Sequence, residues 1–317
     1  MRLPNKPILI AALAALAVSL PAAPPDTPDQ TAVFRADTRL VVLHATVVDR
    51  SGHLVTNLPE NAFQVYENGV QQRIKLFKRE DVPVSMGLII DNSGSMREKR
   101  AQVEAAALAL VKDSNRQDEV FIVNFNEEAF LDKDFTNDIK ELQEGLARID
   151  SRGGTAMRDA IRMSIDHLKE KAKKDKKVLV VVTDGNDNSS LISLENLVKS
   201  SQDSGVLLYT VGLLNEEEKR EAKRCKRALE ALADATGGES YFPKELSEVD
   251  RVAHQVAHDI RNQYTIAYSP TNEALDGSFR QIKVTANGPN HPVVRTRTGY
   301  YASPDSAGAN ARNATGN

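Results

Sequence analysis

The chain begins its regular pattern with short β-type segments. Residues 40–48 are dense in β-branched side chains, and residues 63–66 and 73–78 alternate between apolar and polar positions. Such alternation is typical of strands with one buried face. Asn68-Gly69 lies between two of these segments and is a strong signal for a tight hairpin turn. The pattern therefore predicts a small antiparallel sheet.

From residue 84 onward, continuous apolar runs alternate with helical stripes. The apolar runs cover residues 84–90, 120–123, 178–182 and 206–211, and a short strand is expected at 241–242. Helical patterns cover residues 103–111, 137–149, 157–168, 191–199, 216–235 and 249–260. Strands that alternate with helices predict an α/β fold, with a doubly wound, mostly parallel sheet covered by helices on both faces.

Past residue 262 the strand pattern returns, at 264–268, 279–286 and 293–298. We expect these segments to pair with the amino-terminal strands, so that both chain ends build one small antiparallel β-sandwich. The predicted organisation is a β segment at 32–80, the α/β domain at 81–262 and a second β segment at 263–302. Residues 303–317 are small and polar, which predicts a disordered tail.

The first residues are typical of an export signal. Arg2 and Lys6 flank the start of an apolar run, 7–20, that is short for a membrane span, and small residues follow it. We predict a signal peptide over 1–23, a linker over 24–31 and no stable membrane span after cleavage. The protein is then periplasmic, secreted or held at the cell surface. An uncleaved anchor is the alternative, which prolines at positions 21, 24 and 25 disfavour.

Composition narrows the function classes. The net charge of the 317 residues is −3, from 41 basic and 44 acidic side chains, so a nucleic-acid partner is not expected. Cys225 is the single cysteine, which excludes an internal disulfide. Because it lies in a charged helical segment, we interpret it as incidental rather than reactive.

Oxygen-bearing side chains stand where buried strands are predicted to end. Asp91, Ser93 and Ser95 follow the first apolar run, Asp184 follows another, and Thr155 precedes a strong helical pattern. In a parallel α/β sheet, ligand sites form outside the carboxyl ends of the strands. Carboxylate and hydroxyl oxygens suit magnesium, calcium or manganese better than zinc or copper. The pattern therefore predicts a site for one hard divalent cation.

The motifs Asp-x-Ser-x-Ser, Gly-Gly-Thr and Thr-Asp-Gly, in this order, resemble the von Willebrand factor type A domain and its metal-ion-dependent adhesion site. Segments 263–270, 276–280 and 298–301 resemble an exported bacterial branch labelled VWFA-related, and the likeness spans residues 33–303. The resemblance implies a Rossmann-like sheet and a Mg²⁺ site, with Mn²⁺ or Ca²⁺ as alternatives. It also implies the following roles: Ser93 and Ser95 bind the metal directly, Thr155 directly or through water, and Asp91 and Asp184 mostly through water.

The expected function is adhesion-type protein binding and not catalysis: an unidentified partner protein supplies an Asp or Glu carboxylate to the metal. Asp91 is expected at the surface rim, so that its removal abolishes metal binding without loss of the fold. The resemblance also suggests a conformational switch, in which ligand binding shifts the Thr155 loop and slides the last predicted helix, 249–260.

Other interpretations remain open. In one alternative, Ser93 and Ser95 serve merely as caps of the helix that follows, and Asp184 merely ends a strand at an ordinary turn. A bound metal could be structural, or the sandwich could be the working surface of an envelope assembly factor. A metal-dependent hydrolase is the least favoured, because only Asp187 and Glu98 add carboxylates nearby and no His is among the five residues.

Overall fold

The chain folds into three β-sheets, and helices pack on the largest of them. The structure is a computed structural model that describes residues 40–79, 81–147, 151–214 and 219–303. The strands are β1 (Val41–Val48), β2 (Phe63–Glu67), β3 (Val70–Gln72), β4 (Ile74–Lys78), β5 (Val84–Asp91), β6 (Glu119–Phe125), β7 (Ala129–Thr136), β8 (Lys176–Thr183), β9 (Leu207–Gly212), β10 (Ser240–Tyr241), β11 (Tyr264–Tyr268), β12 (Phe279–Ala286), β13 (Val293–Arg295) and β14 (Gly299–Tyr301). The helices are α1 (Arg100–Lys112), α2 (Ile139–Leu146), α3 (Met157–Lys171), α4 (Leu194–Ser204), α5 (Lys219–Thr236) and α6 (Val249–Arg261).

The predicted signal peptide, the linker and residues 304–317 of the predicted tail lie outside the described residues. Among the helices in the part of the chain that the structure describes, none combines the length and the apolar character that crossing a bilayer needs. The predicted domain limits stay predictions.

The central sheet has the order β10-β9-β8-β5-β6-β7, and its strands run parallel except for β7, which pairs antiparallel with β6. Each residue of β5 is buried, as the continuous apolar run predicts for a strand covered on both faces. Helices α1, α2 and α6 share a hydrophobic core with one face of the sheet, and α3, α4 and α5 share a second core with the other. The predicted doubly wound α/β fold is confirmed.

The two smaller sheets each combine strands from both ends of the described chain. One has the order β13-β1-β11-β4 and the other β14-β12-β2-β3, and their buried side chains form a third core. Asn68 and Gly69 connect β2 to β3 with φ values of 48° and 81°, the left-handed conformations that a tight hairpin turn with this sequence requires. The expected antiparallel pairing of the flanking segments is therefore observed.

Several element limits differ from the sequence pattern. The pattern does not predict β7, a half-exposed edge strand whose sequence is interrupted by three charged residues. Helix α4 begins at Leu194 instead of residue 191, because Ser193 caps it and the Asp159 carboxylate binds the backbone amides of Leu191 and Ile192. The strand expected at 293–298 is shorter, as β13 ends at Arg295, and a further strand, β14, begins at Gly299 in the other small sheet.

Candidate metal centre

Asp91 is the last residue of β5 and the deepest of the predicted site residues. Its side chain is fully buried, because β6 and β8 flank the strand on both sides. One carboxylate oxygen accepts a hydrogen bond from the Ser93 amide at 2.8 Å, and the other accepts one from the Thr183 hydroxyl at 2.6 Å. The expectation that Asp91 stands on the surface rim is therefore wrong: the end of a central strand is covered by its neighbours.

The two serine hydroxyls lead from Asp91 towards Asp184. Ser93 Oγ and Ser95 Oγ are 3.2 Å apart, and the Ser95 hydroxyl donates to Asp184 Oδ1 at 2.7 Å. Ser93 begins a short 3-10 turn without a side-chain capping bond, and α1 starts after Lys99. Helix capping therefore does not explain the two serines.

Thr155 lies on the loop that precedes α3, and it is 5% exposed. Its amide donates to Asn188 Oδ1 at 2.8 Å, and its carbonyl accepts from the amides of Asn188 and Ser189. Its hydroxyl oxygen is 3.8 Å from the position that a β-carbon would take on Gly185. Thr155 therefore lies beside the turn that follows Asp184, at the same edge of the sheet as Ser93 and Ser95.

Burial and like charge oppose ionisation of Asp91. Burial, as the largest cause, and the negative charge of Asp184 raise the pKa of Asp91, and hydrogen bonds from Thr183 and Ser93 lower it; the net result is a rise from 3.8 to about 6. Asp184 in turn forms an ion pair with Lys99, whose Nζ is 2.5 Å from Oδ2. A pair of buried carboxylates that already draws in an ammonium group is chemically suited to a cation.

The donor set is made of oxygen atoms alone. It has two carboxylates and three neutral hydroxyls, which matches the preference of a hard divalent ion. Among the described residues, no cluster of three or more His, Cys, Asp or Glu side chains is arranged to hold a metal ion. The fit of the five predicted residues to a magnesium-like ion rests instead on their oxygen donors, two carboxylates and three hydroxyls.

Contacts that the sequence pattern did not indicate support these five residues. Thr183 holds Asp91 and Lys99 pairs with Asp184, as described above. The Cys225 thiol is buried and lies 3.0 Å from the Gly185 carbonyl oxygen, to which it donates. Burial raises the pKa of Cys225 to about 12, with the nearby aspartates adding to the shift, so the thiol stays protonated. The spacing of Cys225, Leu229 and Leu232, which places all three on the buried face of α5, is the signal that could have shown its position.

The chain resembles known proteins in sequence, and one match is located in the part of the chain that holds these residues. A sequence profile of the von Willebrand factor type A domain matches residues 86–186. Calcium-activated chloride channel regulator 1 of Mus musculus is 29% identical over 163 residues, which cover 48% of this chain and 16% of that protein. The uncharacterized protein YfbK of Escherichia coli (strain K12) is 27% identical over 222 residues, which cover 65% of this chain and 37% of that protein. The chain thus spans well under half the length of either relative.

Solved structures also superimpose on part of the chain. Proximal thread matrix protein 1 from the mussel byssus, in a form with a zinc-occupied metal-ion-dependent adhesion site, superimposes with a TM-score of 0.49 at 13% identity. The superposition covers 62% of this chain and 50% of the mussel protein. The profile match runs from within β5 to the turn after β8 and so includes the five residues described above. The similarity to the von Willebrand factor type A domain is therefore established for residues 86–186 of this chain.

Proposed function

We propose that the protein is an exported, divalent-cation-dependent binding module that captures a carboxylate of a partner protein. Asp91, Ser93, Ser95, Thr155 and Asp184 would hold the cation, with Mg²⁺ as the first candidate and Mn²⁺ or Ca²⁺ as alternatives. The observation that carries the proposal is the Ser95–Asp184 hydrogen bond, which joins two predicted ligands that are 89 positions apart. Segments this distant have converged at one edge of the sheet.

The chain's own residues would act mainly by positioning. When bound, a divalent cation supplies a Lewis-acid position that the oxygen of a partner's carboxylate can share. Ser93 and Ser95 contribute neutral oxygens, which leave most of the positive charge available to that carboxylate. Asp91, held by the Ser93 amide and the Thr183 hydroxyl, fixes the turn that carries both serines. Binding would therefore need little rearrangement of the backbone.

Metal titration and partner capture test the proposal. We expect Mg²⁺ or Mn²⁺ to bind the purified protein in calorimetry and the Asp91→Ala variant to lose this binding. The control is Asp250→Ala, which removes an exposed aspartate from α6. Capture of an envelope protein should be lost in EDTA and should return with Mg²⁺. Unchanged metal binding by Asp91→Ala would refute the proposal.

A second candidate function is an envelope assembly factor that works through its β-sandwich. Exposed apolar side chains on the sandwich strands favour it: Val70, Phe279 and Val293 are 56%, 38% and 55% exposed. Val70→Ser combined with Phe279→Ser tests this function. Loss of the partner in that variant, together with retention in Asp91→Ala, would favour the sandwich over the metal centre.

A hydrolytic function has less support. Asp187, a carboxylate close to the five residues in sequence, accepts hydrogen bonds from the Arg158 amide and the Ser190 hydroxyl, both at 2.7 Å. Its other oxygen forms an ion pair with the Arg158 guanidinium. Because these contacts engage both oxygens in holding the loop, Asp187 is poorly placed to serve as a general base. We therefore propose binding and not catalysis.

A further inference from the structure

Lys99 brings a positive charge directly to a predicted metal ligand. Its Nζ is 2.5 Å from Asp184 Oδ2, while Asp184 Oδ1 accepts from the Ser95 hydroxyl. The Asp184 side chain is 1% exposed and the Lys99 side chain 25% exposed. Both oxygens of this carboxylate are therefore engaged by the chain's own donors, and one of these donors is a cation.

The position of Lys99 in the fold does not favour a lysine. It is the residue that precedes α1, where it makes no side-chain capping bond. Ser, Thr, Asp and Asn are the residues that stabilise this position, and positive charge is unfavourable at the amino end of a helix. The carboxylate of Asp184, with Asp91 as a second nearby acid, supplies the favourable interaction that the helix does not.

We propose that Lys99 is an internal counter-cation of the metal centre, which competes with a divalent ion for Asp184. This inference rests on the proposed function. Binding of a dication has two possible outcomes for the ammonium group: it stays beside the dication and is repelled, or it moves away and loses its ion pair. Both outcomes oppose metal binding.

Lys99 also orients Asp184, and this effect favours metal binding. The Ser95 hydroxyl holds the same carboxylate from its other oxygen and is sufficient to orient it. Repulsion between the ammonium and a dication carries twice the charge product of the ammonium–carboxylate attraction. The competition therefore outweighs the orientation, and removal of the charge should tighten metal binding.

Calorimetry on the full chain with MgCl₂ and with MnCl₂ tests this inference. Lys99→Gln should bind either metal about tenfold more tightly than the wild type, which corresponds to about 1.4 kcal/mol. Lys99→Arg, which keeps the charge, should gain less than Lys99→Gln. Lys112→Gln is the matched control, because it removes the same charge from the exposed other end of α1.

Thermal unfolding gives a second readout. In EDTA, Lys99→Gln should melt at a lower temperature than the wild type, because Asp91 and Asp184 lose their compensating charge. Addition of Mg²⁺ should raise its melting temperature by more than that of the wild type. A metal affinity of Lys99→Gln equal to or weaker than that of the wild type, which itself binds metal, overturns the role of Lys99 and leaves the proposed function standing. Absence of metal binding in the wild type and in each variant overturns both.

Discussion

Replacement of Asp91 by asparagine should stabilise the protein when metal is removed, although it destroys the proposed metal centre. The carboxylate is fully buried, and its hydrogen bonds come from the Ser93 amide and the Thr183 hydroxyl. An asparagine of the same shape keeps an oxygen for the Ser93 amide. The Thr183 hydroxyl can then accept from the new amide group and turn its own proton to the Gly185 carbonyl, 3.4 Å away. The hydrogen bonds are largely preserved, whereas the buried charge is removed.

The size of the effect follows from the pKa of Asp91. Burial and the charge of Asp184 raise this pKa from 3.8 to about 6. At about 1.4 kcal/mol for each pKa unit, ionised Asp91 opposes folding by about 3 kcal/mol at neutral pH. Because part of this gain is lost to imperfect hydrogen bonding of the amide, we expect Asp91→Asn to raise the free energy of unfolding by about 1–3 kcal/mol.

The dependence on pH has a defined sign. An acid whose pKa is raised by folding contributes stability that is fully present below about pH 4 and is lost as the pH rises through about 6. Asp91→Asn does not titrate here. The stability advantage of the variant should therefore be largest at neutral pH and about half as large at about pH 5.

Urea unfolding in EDTA, at neutral pH and at about pH 5, measures both quantities. Asp187→Asn is the matched control: the Asp187 side chain is 7% exposed and has a cationic partner, Arg158, so its loss should destabilise the protein. In Mg²⁺, the wild type should gain stability and Asp91→Asn should gain none. If Asp91→Asn is less stable than the wild type in EDTA at neutral pH, the argument from burial is wrong.

Three further variants test other contacts by urea unfolding. Thr183→Val removes the hydroxyl that donates to Asp91 and should lower stability by about 1–3 kcal/mol in EDTA, so an unchanged midpoint would contradict the importance of this bond. Gly87→Ala places a β-carbon 2.3 Å from Phe121 Cζ and should destabilise by about 1–3 kcal/mol; a neutral effect would show that the core can relax. Burial, with the positive charge of Arg261 adding to it, lowers the pKa of Lys176 from 10.5 to about 7, so wild-type stability should rise between about pH 7 and pH 10. Lys176→Met should abolish this rise and add about 1–4 kcal/mol at neutral pH, whereas persistence of the rise would assign it to another group.

The element pattern and the five candidate residues could be predicted because each depends on local sequence. A run of apolar residues such as that of β5 requires cover on both faces, and Asn68-Gly69 requires a tight turn, whatever the rest of the chain does. The carboxyl ends of parallel strands meet at one edge of the sheet, so Asp91 and Asp184 were expected to lie together. The edge strand β7 was not predicted, since its charges break the apolar pattern that marks the inner strands.

The amino-acid sequence by itself determined the fold class, the origin of the sandwich in both flanking segments and the residue types at the proposed metal centre. Tertiary structure alone decided how deeply Asp91 is buried, that Lys99 pairs with Asp184 and that the Cys225 thiol holds the Gly185 carbonyl. The physical reason is distance along the chain. Hydrophobic periodicity acts over a few neighbouring residues, whereas the desolvation and the charge that set these contacts come from residues 40 to 92 positions away.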